Sequence, residues 1–176
     1  MNKFGFIVLA PEPNTGLVKT SEYHLCNYDM KVVVPEHIDN NVYEKLSELA
    51  KVVRGGNTIT SLINAGFEGA QGWQIIVMAG VPINAKIIRK LDVFIKNEKD
   101  VFFPIVPDFD RRGRMARLNS NFSNCTLNGI AIHSDTFREV GPFVDDPDIQ
   151  YVRLCWACAA LEIGCHFKGV VGMRMN

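Results

Sequence analysis

Net charge is the first thing this 176-residue sequence lacks, with 19 lysines and arginines set against 19 aspartates and glutamates. A chain without a global field has little to draw it to nucleic acid or to an acidic membrane surface, and neither is expected as a partner. Long apolar runs are missing as well. The stretch "FGFIVLA" offers about six apolar residues before Pro11, too few for a membrane span or the core of a secretion signal. The expectation is a soluble, unexported, cytoplasmic chain. Five cysteines (Cys26, Cys125, Cys155, Cys158 and Cys165) follow no framework spacing, which suits reduced thiols. Cys155 and Cys158 form a C-x-x-C inside the helical pattern "RLCWACAALEIG", but no second pair stands at zinc-ligand spacing, so they read as small buried hydrophobes. His24, His37, His133 and His166 are scattered. No metal site and no cofactor is expected.

What is present is alternation. Short β-branched apolar runs take turns with segments of helical period, the pattern of a mostly parallel sheet with helices on both faces. Strands are expected at Phe4 to Ala10, "MKVVVP", "KVVR", Trp73 to Met78, "VFFPIV", "LNGIAIH" and "CHFKGVV". Helices are expected at about Leu17 to Cys26, Asn40 to Lys51 with Asp39 as N-cap, Thr58 to Ala70, Asn84 to Lys96, a short one capped by Ser134 and stopped by Gly141, and a long one from Asp146-Pro147 to about Ile163. Residues 107–124, "PDFDRRGRMARLNSNFSN", are polar and aperiodic and read as a long loop with four arginines in seven residues. With no repeat or linker to divide it, the chain reads as a single three-layer α/β/α domain over residues 1–176.

One stretch is more specific. "GGNTITSLINAGFEGAQGWQIIVMAGVPI" resembles the inverting family-2 type glycosyltransferases of the GT-A fold: Asn64-Ala65-Gly66 fall on that family's N-x-G, Ala70-Gln71-Gly72 on A-x-G, and Ile75 to Met78 on the strand that ends in D-x-D. "FIVLAPEPN" is similar to the family's first strand with its P-x-x-N turn, Pro11 to Asn14, and "VVVPE" to the second strand, whose acid contacts the base. "LNGIAIHSDTFREVGPF" and "VRLCWACAALEIGCHF" resemble later elements in the same order. The resemblance implies a minimal GT-A fold and nucleotide-sugar binding. It also implies D-x-D carboxylates that hold a divalent cation against the diphosphate, and an E-D motif that supplies a general base. Here Ala79, Gly80 and Val81 occupy the first slot and Val152 and Arg153 the second. None of these side chains supplies an oxygen ligand or a base, so the implied protein is degenerate.

Candidate nucleotide-binding residues on this reading are Pro11, Glu12, Asn14, Glu36, Gly56 and Asn64; catalytic residues are not assigned. Asn64 stands where the family places a polar group near the nucleotide, and equally suits an amide that caps local backbone. Glu36 suits a ribose or base contact, and equally a solvated loop carboxylate. Arg111, Arg112, Arg114 and Arg117 suit a phosphate clamp in place of metal, because guanidinium groups bind phosphate oxygens bidentately; they also suit a solvated or protein-contact face. Asp145, Asp146 and Asp148 are either a displaced base or first-turn acids of the long helix. His133-Ser134-Asp135 cannot form a triad, since its members must come from separate positions. Two functions follow: a glycosyltransferase-like nucleotide or nucleotide-sugar binder without metal-dependent transfer, and a non-catalytic structural subunit of a larger assembly, such as a virion, with other protein subunits as partners.

Overall fold

Strand β1 (Phe4–Leu9) is buried on both faces, as an apolar run of this kind must be when helices cover both sides of a sheet. The computed structural model describes residues 4–14, 16, 28–81, 85–109, 115–119, 122 and 125–171. On one side β1 pairs in parallel with β2 (Asp29–Pro35), which pairs in parallel with β3 (Lys51–Gly55). On the other it pairs in parallel with β4 (Trp73–Met78), in the register Leu9 to Met78. Beyond β4 the sheet continues through antiparallel β7 (Ile130–His133) to β5 (Asp100–Phe109) and β6 (Met115–Asn119), while β8 (His166–Val171) adds in parallel to β5. Six strands therefore share one direction, and β6 and β7 oppose it.

Side-chain alternation splits the core between the two faces. Phe6, Val8, Val32, Ile75 and Val77 meet Leu46 of α1 (Asn40–Ser47) and Ile88 and Leu91 of α3 (Ala85–Phe94). Ile7, Leu9, Val33 and Ile76 meet α2 (Ile59–Phe67), α4 (Ser134–Val140) and α5 (Ile149–Glu162). The result is a single three-layer α/β/α domain, as the alternation of strands and helices implies.

Differences from the sequence reading are local. The hairpin of β5 and β6 runs through the stretch read as a loop, with Asp108 opposite Arg117. The short helix α4 is capped by His133, whose Nδ1 accepts the Asp135 N–H, so Ser134 is its first helical residue and not its cap. Helix α1 stops at Ser47, and Lys51 already belongs to β3. Gly66 is fixed by packing, because a Cβ there would stand 2.3 Å from Ile7 Cγ2; α2 lies on β1 at that point with no room for a methyl group. Lys31 ties the same, carboxyl end of α2 down, donating to Gly66 O at 2.7 Å and Glu68 O at 2.6 Å. Burial and the neighbouring Lys51 lower its pKa, against the pull of Glu68. The helix expected over about 17–26 lies outside the described residues, and no helix among the described residues is long and apolar enough to cross a membrane.

Candidate functional site

In a sheet of this kind the carboxyl ends of the parallel strands and the amino ends of the following helices leave a crevice. At the β2–β3 end of that crevice a cavity of about 390 Å³ opens between Glu36 after β2, Arg54 and Gly55 of β3, Gly56, and Ser61 and Asn64 of α2. Three of the candidate residues, Glu36, Gly56 and Asn64, are thus brought together from three segments. Arg54 was not anticipated. Its guanidinium lies over the Tyr43 ring at 4.6 Å and donates to Asn40 Oδ1 at 2.9 Å and Glu36 O at 3.4 Å, which fixes it as the cation of the cavity wall. The only sequence signal was its place immediately before Gly55-Gly56.

The start of α2 is already occupied. Thr58 caps the helix and forms a capping box with Ser61. The hydroxyls of Thr58 and Thr60 both donate to Asp145 Oδ1, from 87 and 85 residues away. The positive end of the helix therefore has an intramolecular carboxylate where a phosphate would otherwise be favoured. Asn64 takes part in the same closure. Its Nδ2 donates to Phe143 O at 2.8 Å and its Oδ1 accepts the Phe143 N–H at 2.9 Å. Trp156 Nε1 adds a bond to Gly141 O at 2.9 Å. Residues 141–145 are thus strapped across α2 by Asn64, Thr58, Thr60 and Trp156, so the Asn64 amide binds backbone that is distant in sequence, not local.

The slot that follows β4 is a closed turn. Met78 N donates to Asn128 Oδ1 at 2.7 Å, Ala79 N to Leu9 O at 2.8 Å, and Val81 N to Met78 O at 3.2 Å, while Gly80 takes a left-handed φ of 85°. Ala79 and Val81 pack against the core. Asn128, which the sequence reading did not single out, fixes the end of the central strand. The positions aligned with the general base face inward: Val152 is fully buried and Arg153 is 6% exposed. Arg153 donates through Nη1 to Cys125 O and through Nε to Ile149 O at 3.2 Å. Burial pushes the neighbouring Cys125 thiol up to about 11, although Arg153 pulls the other way. Asp148 is the N-cap of α5, accepting from Gln150 N and Tyr151 N, and Asp146 accepts from Asp148 N.

The remaining candidates are dispersed. Pro11, Glu12 and Asn14 follow β1 but do not line the cavity, and Asn14 Oδ1 closes a turn on Gly16 N at 2.8 Å. Arg111, Arg112 and Arg114 lie outside the described residues. Arg117 is on β6, at the far edge of the sheet order from β3, six strand spacings or about 28 Å along the sheet.

No family model matches the chain, and no curated protein matches it in sequence. Solved structures do match in fold. A nucleotidyl transferase from Methanothermobacter thermautotroptrophicus superimposes with a TM-score of 0.63 at 16% identity, covering 99% of this chain and 89% of the other. A 4-diphosphocytidyl-2C-methyl-D-erythritol synthase gives 0.61 at 14% identity, with 98% and 90% covered. A CMP:2-keto-3-deoxy-manno-octonic acid synthetase, solved with CTP, gives 0.55 at 9%, with 97% and 91% covered. The chain has the α/β fold of these nucleotidyltransferases.

Proposed function

We propose that this protein binds a nucleotide or nucleotide sugar in the crevice at the carboxyl ends of β1 to β4, without a divalent cation and without metal-dependent glycosyl transfer. The observation that carries the reading is the meeting of Glu36, Arg54 and Gly56 on one cavity beside α2, where Asn64 holds the wall through its bonds to Phe143. Two fold neighbours are cytidylyl enzymes by name, and one holds CTP, which supports a nucleotide ligand. Glu36, Glu68 and Arg54 leave the cavity wall with more negative than positive charge, which suits the hydroxyl groups of a ribose and disfavours a diphosphate. With Asp145 on the α2 terminus, the diphosphate belongs toward the ends of β1 and β4. The turn at Ala79, Gly80 and Val81 has no side chain there to hold a cation against it.

A screen of CTP and of UDP-, GDP-, CDP- and TDP-sugars by thermal shift, with and without Mn²⁺, tests this. A ligand at 100 times its dissociation constant stabilises the native state by about 2.7 kcal/mol, a rise of roughly 5–11 °C for a domain of this size. The same rise is expected whether or not Mn²⁺ is present. Unchanged melting with every nucleotide at millimolar concentration removes the reading. If the loop arginines stand in for metal, Arg112→Ala and Arg114→Ala should weaken nucleotide binding with little change in the melting temperature of the free protein; equal affinity in both returns the loop to a solvated role.

A second reading, a non-catalytic subunit of a larger assembly, is favoured by a different observation. The exposed residues of α5 between Asp148 and Glu162 are uncharged, and Tyr151, Leu154, Cys158 and Leu161 recur along one stripe. Depletion of charge at such a stripe is what the centre of a protein interface shows.

A further inference from the structure

At the opposite end of the sheet from the crevice, the register of β4 and β7 sets His133 beside Trp73, the first residue of β4. The imidazole is 8% exposed and packs edge-on to the Trp73 ring at 5.5 Å. Its Nδ1 accepts the Asp135 N–H at 3.3 Å, while Nε2 has no hydrogen-bond partner among the described residues. Nε2 faces Glu98 Oε1 at 3.9 Å, and Nδ1 lies 3.7 Å from Asp135 Oδ2. One ligand atom from each of Glu98, His133 and Asp135 falls within 4.8 Å of the others.

We propose that this cluster binds a zinc-class divalent ion, with His133 Nε2 and Glu98 as ligands, Asp135 as the carboxylate that orients the imidazole, and water completing the shell. The 3.9 Å separation is too long for a hydrogen bond, and two zinc ligands with bonds of roughly 2.0–2.2 Å at tetrahedral angles stand about 3.4 Å apart, so a turn of the exposed Glu98 side chain by about half an ångström brings the pair to one ion. An imidazole nitrogen with carboxylate oxygen favours zinc over magnesium or calcium, which take oxygen alone. Binding at Nε2 requires the ring proton on Nδ1, which gives up the 3.3 Å cap bond from Asp135 N and turns to Asp135 Oδ2, 3.7 Å away and brought into range by rotation of the exposed carboxylate. A carboxylate in that place fixes a ligating histidine. Arg138 holds the other Asp135 oxygen at 2.7 Å and so presents Oδ2 to the ring.

The surroundings are rigid enough to preform the pair. Thr136 Oγ1 donates to Glu98 O at 2.6 Å, locking the turn before β5 to the first turn of α4. Asp100 Oδ2 accepts from Lys96 N and Asn97 N and pairs with Lys168 at 2.6 Å, which holds the same turn from below. Spacing in the sequence hid the site, because Glu98 and His133 are 35 residues apart and no histidine motif links them.

The test uses full-length protein stripped with EDTA, in a Cys155→Ser, Cys158→Ser background that removes the C-x-x-C on α5. Zinc chloride should raise the melting temperature saturably, EDTA should reverse the rise, and the imidazole ¹⁵N resonance of His133 Nε2 should move on titration. Glu98→Gln keeps the backbone bond from Thr136 and should weaken zinc at least tenfold; Asp135→Asn should weaken it by about 10–100-fold. No saturable response up to about 1 mM zinc overturns the proposal. So does a response unchanged by Glu98→Gln, or one that appears at His37 or His166 while His133 stays still.

Discussion

Asn64→Ala should lower the melting temperature by about 6–12 °C. Phe143 is 3% exposed, and both its N–H and its C=O are satisfied by the Asn64 amide. Truncation leaves two main-chain groups without partners in a nearly dry position, at about 1–3 kcal/mol each with partial relief by water from the half-buried Asn64 side. A total near 3 kcal/mol in a domain of this size shifts the midpoint by roughly 2–4 °C per kcal/mol. The strap then keeps the polar ties of Trp156 to Gly141 and of Asp145 to Thr58 and Thr60, with the Phe143 ring still packed on Trp156 and Phe137. Asn64→Asp should be no better, since a carboxylate keeps the bond from Phe143 N but turns an oxygen toward Phe143 O. Thermal denaturation followed by circular dichroism decides the point. An Asn64→Ala protein that melts with the wild type yet loses nucleotide binding would reverse the account, making Asn64 a ligand contact and the strap incidental.

The contrast between Asn64 and β4 marks what the sequence disclosed. "WQIIVM" was readable to the residue, because five of its six side chains are apolar and all but Gln74, whose amide bonds Gln71 O, suit a buried strand between Gly72 and a turn. The resemblance singled out Glu36 and Gly56, and both line the cavity beside α2; Asp148 was readable as a cap through its place ahead of a helix. Partners far away in sequence were not. The carboxylate of Asp145 has a local role available at α5 and takes instead the start of α2, because the chain after Gly141 is laid across that helix by Trp156 and Asn64. Asn128 bonds the end of β4 and Arg54 the start of α1, partners brought together by the fold rather than by sequence neighbourhood. The hairpin of β5 and β6 was missed because "DFDRRGRMARL" has neither apolar alternation nor a standard two-residue turn, so pairing with β5 had no local signature.

Introducing the acids that the glycosyltransferase resemblance implies should fail for two different reasons. Ala79→Asp with Val81→Asp puts two carboxylates into a half-buried turn whose backbone is already bonded to Leu9 and Asn128. The protein should fold, at a cost of about 1–3 kcal/mol from mutual repulsion and lost packing. Val152→Glu with Arg153→Asp should do far worse. Val152 is fully buried in the core cluster that also holds Leu62, Phe137 and Trp156, and a carboxylate there loses its neighbouring cation once Arg153 is gone. Loss of the Arg153 side chain also strips the Cys125 carbonyl of its Nη1 donor, while Ile149 O keeps its backbone partner within the helix. Burying an unpaired charge and orphaning a buried carbonyl together exceed about 4 kcal/mol, a large share of the roughly 5–15 kcal/mol that holds a typical domain. The expected result is a protein unfolded at 25 °C or melting more than about 10 °C below the wild type. Arg153→Met, which removes the bonds but adds no charge, should fall between the two. If the glutamate and aspartate variant instead melts within about 3 °C of the wild type, α5 has room to turn those positions toward the crevice. A four-acid variant that also transfers sugar with Mn²⁺ would show that this frame accepts such chemistry through side chains alone. The inward packing of Val152 and Arg153 argues otherwise: at α5 these two positions are held inside the core.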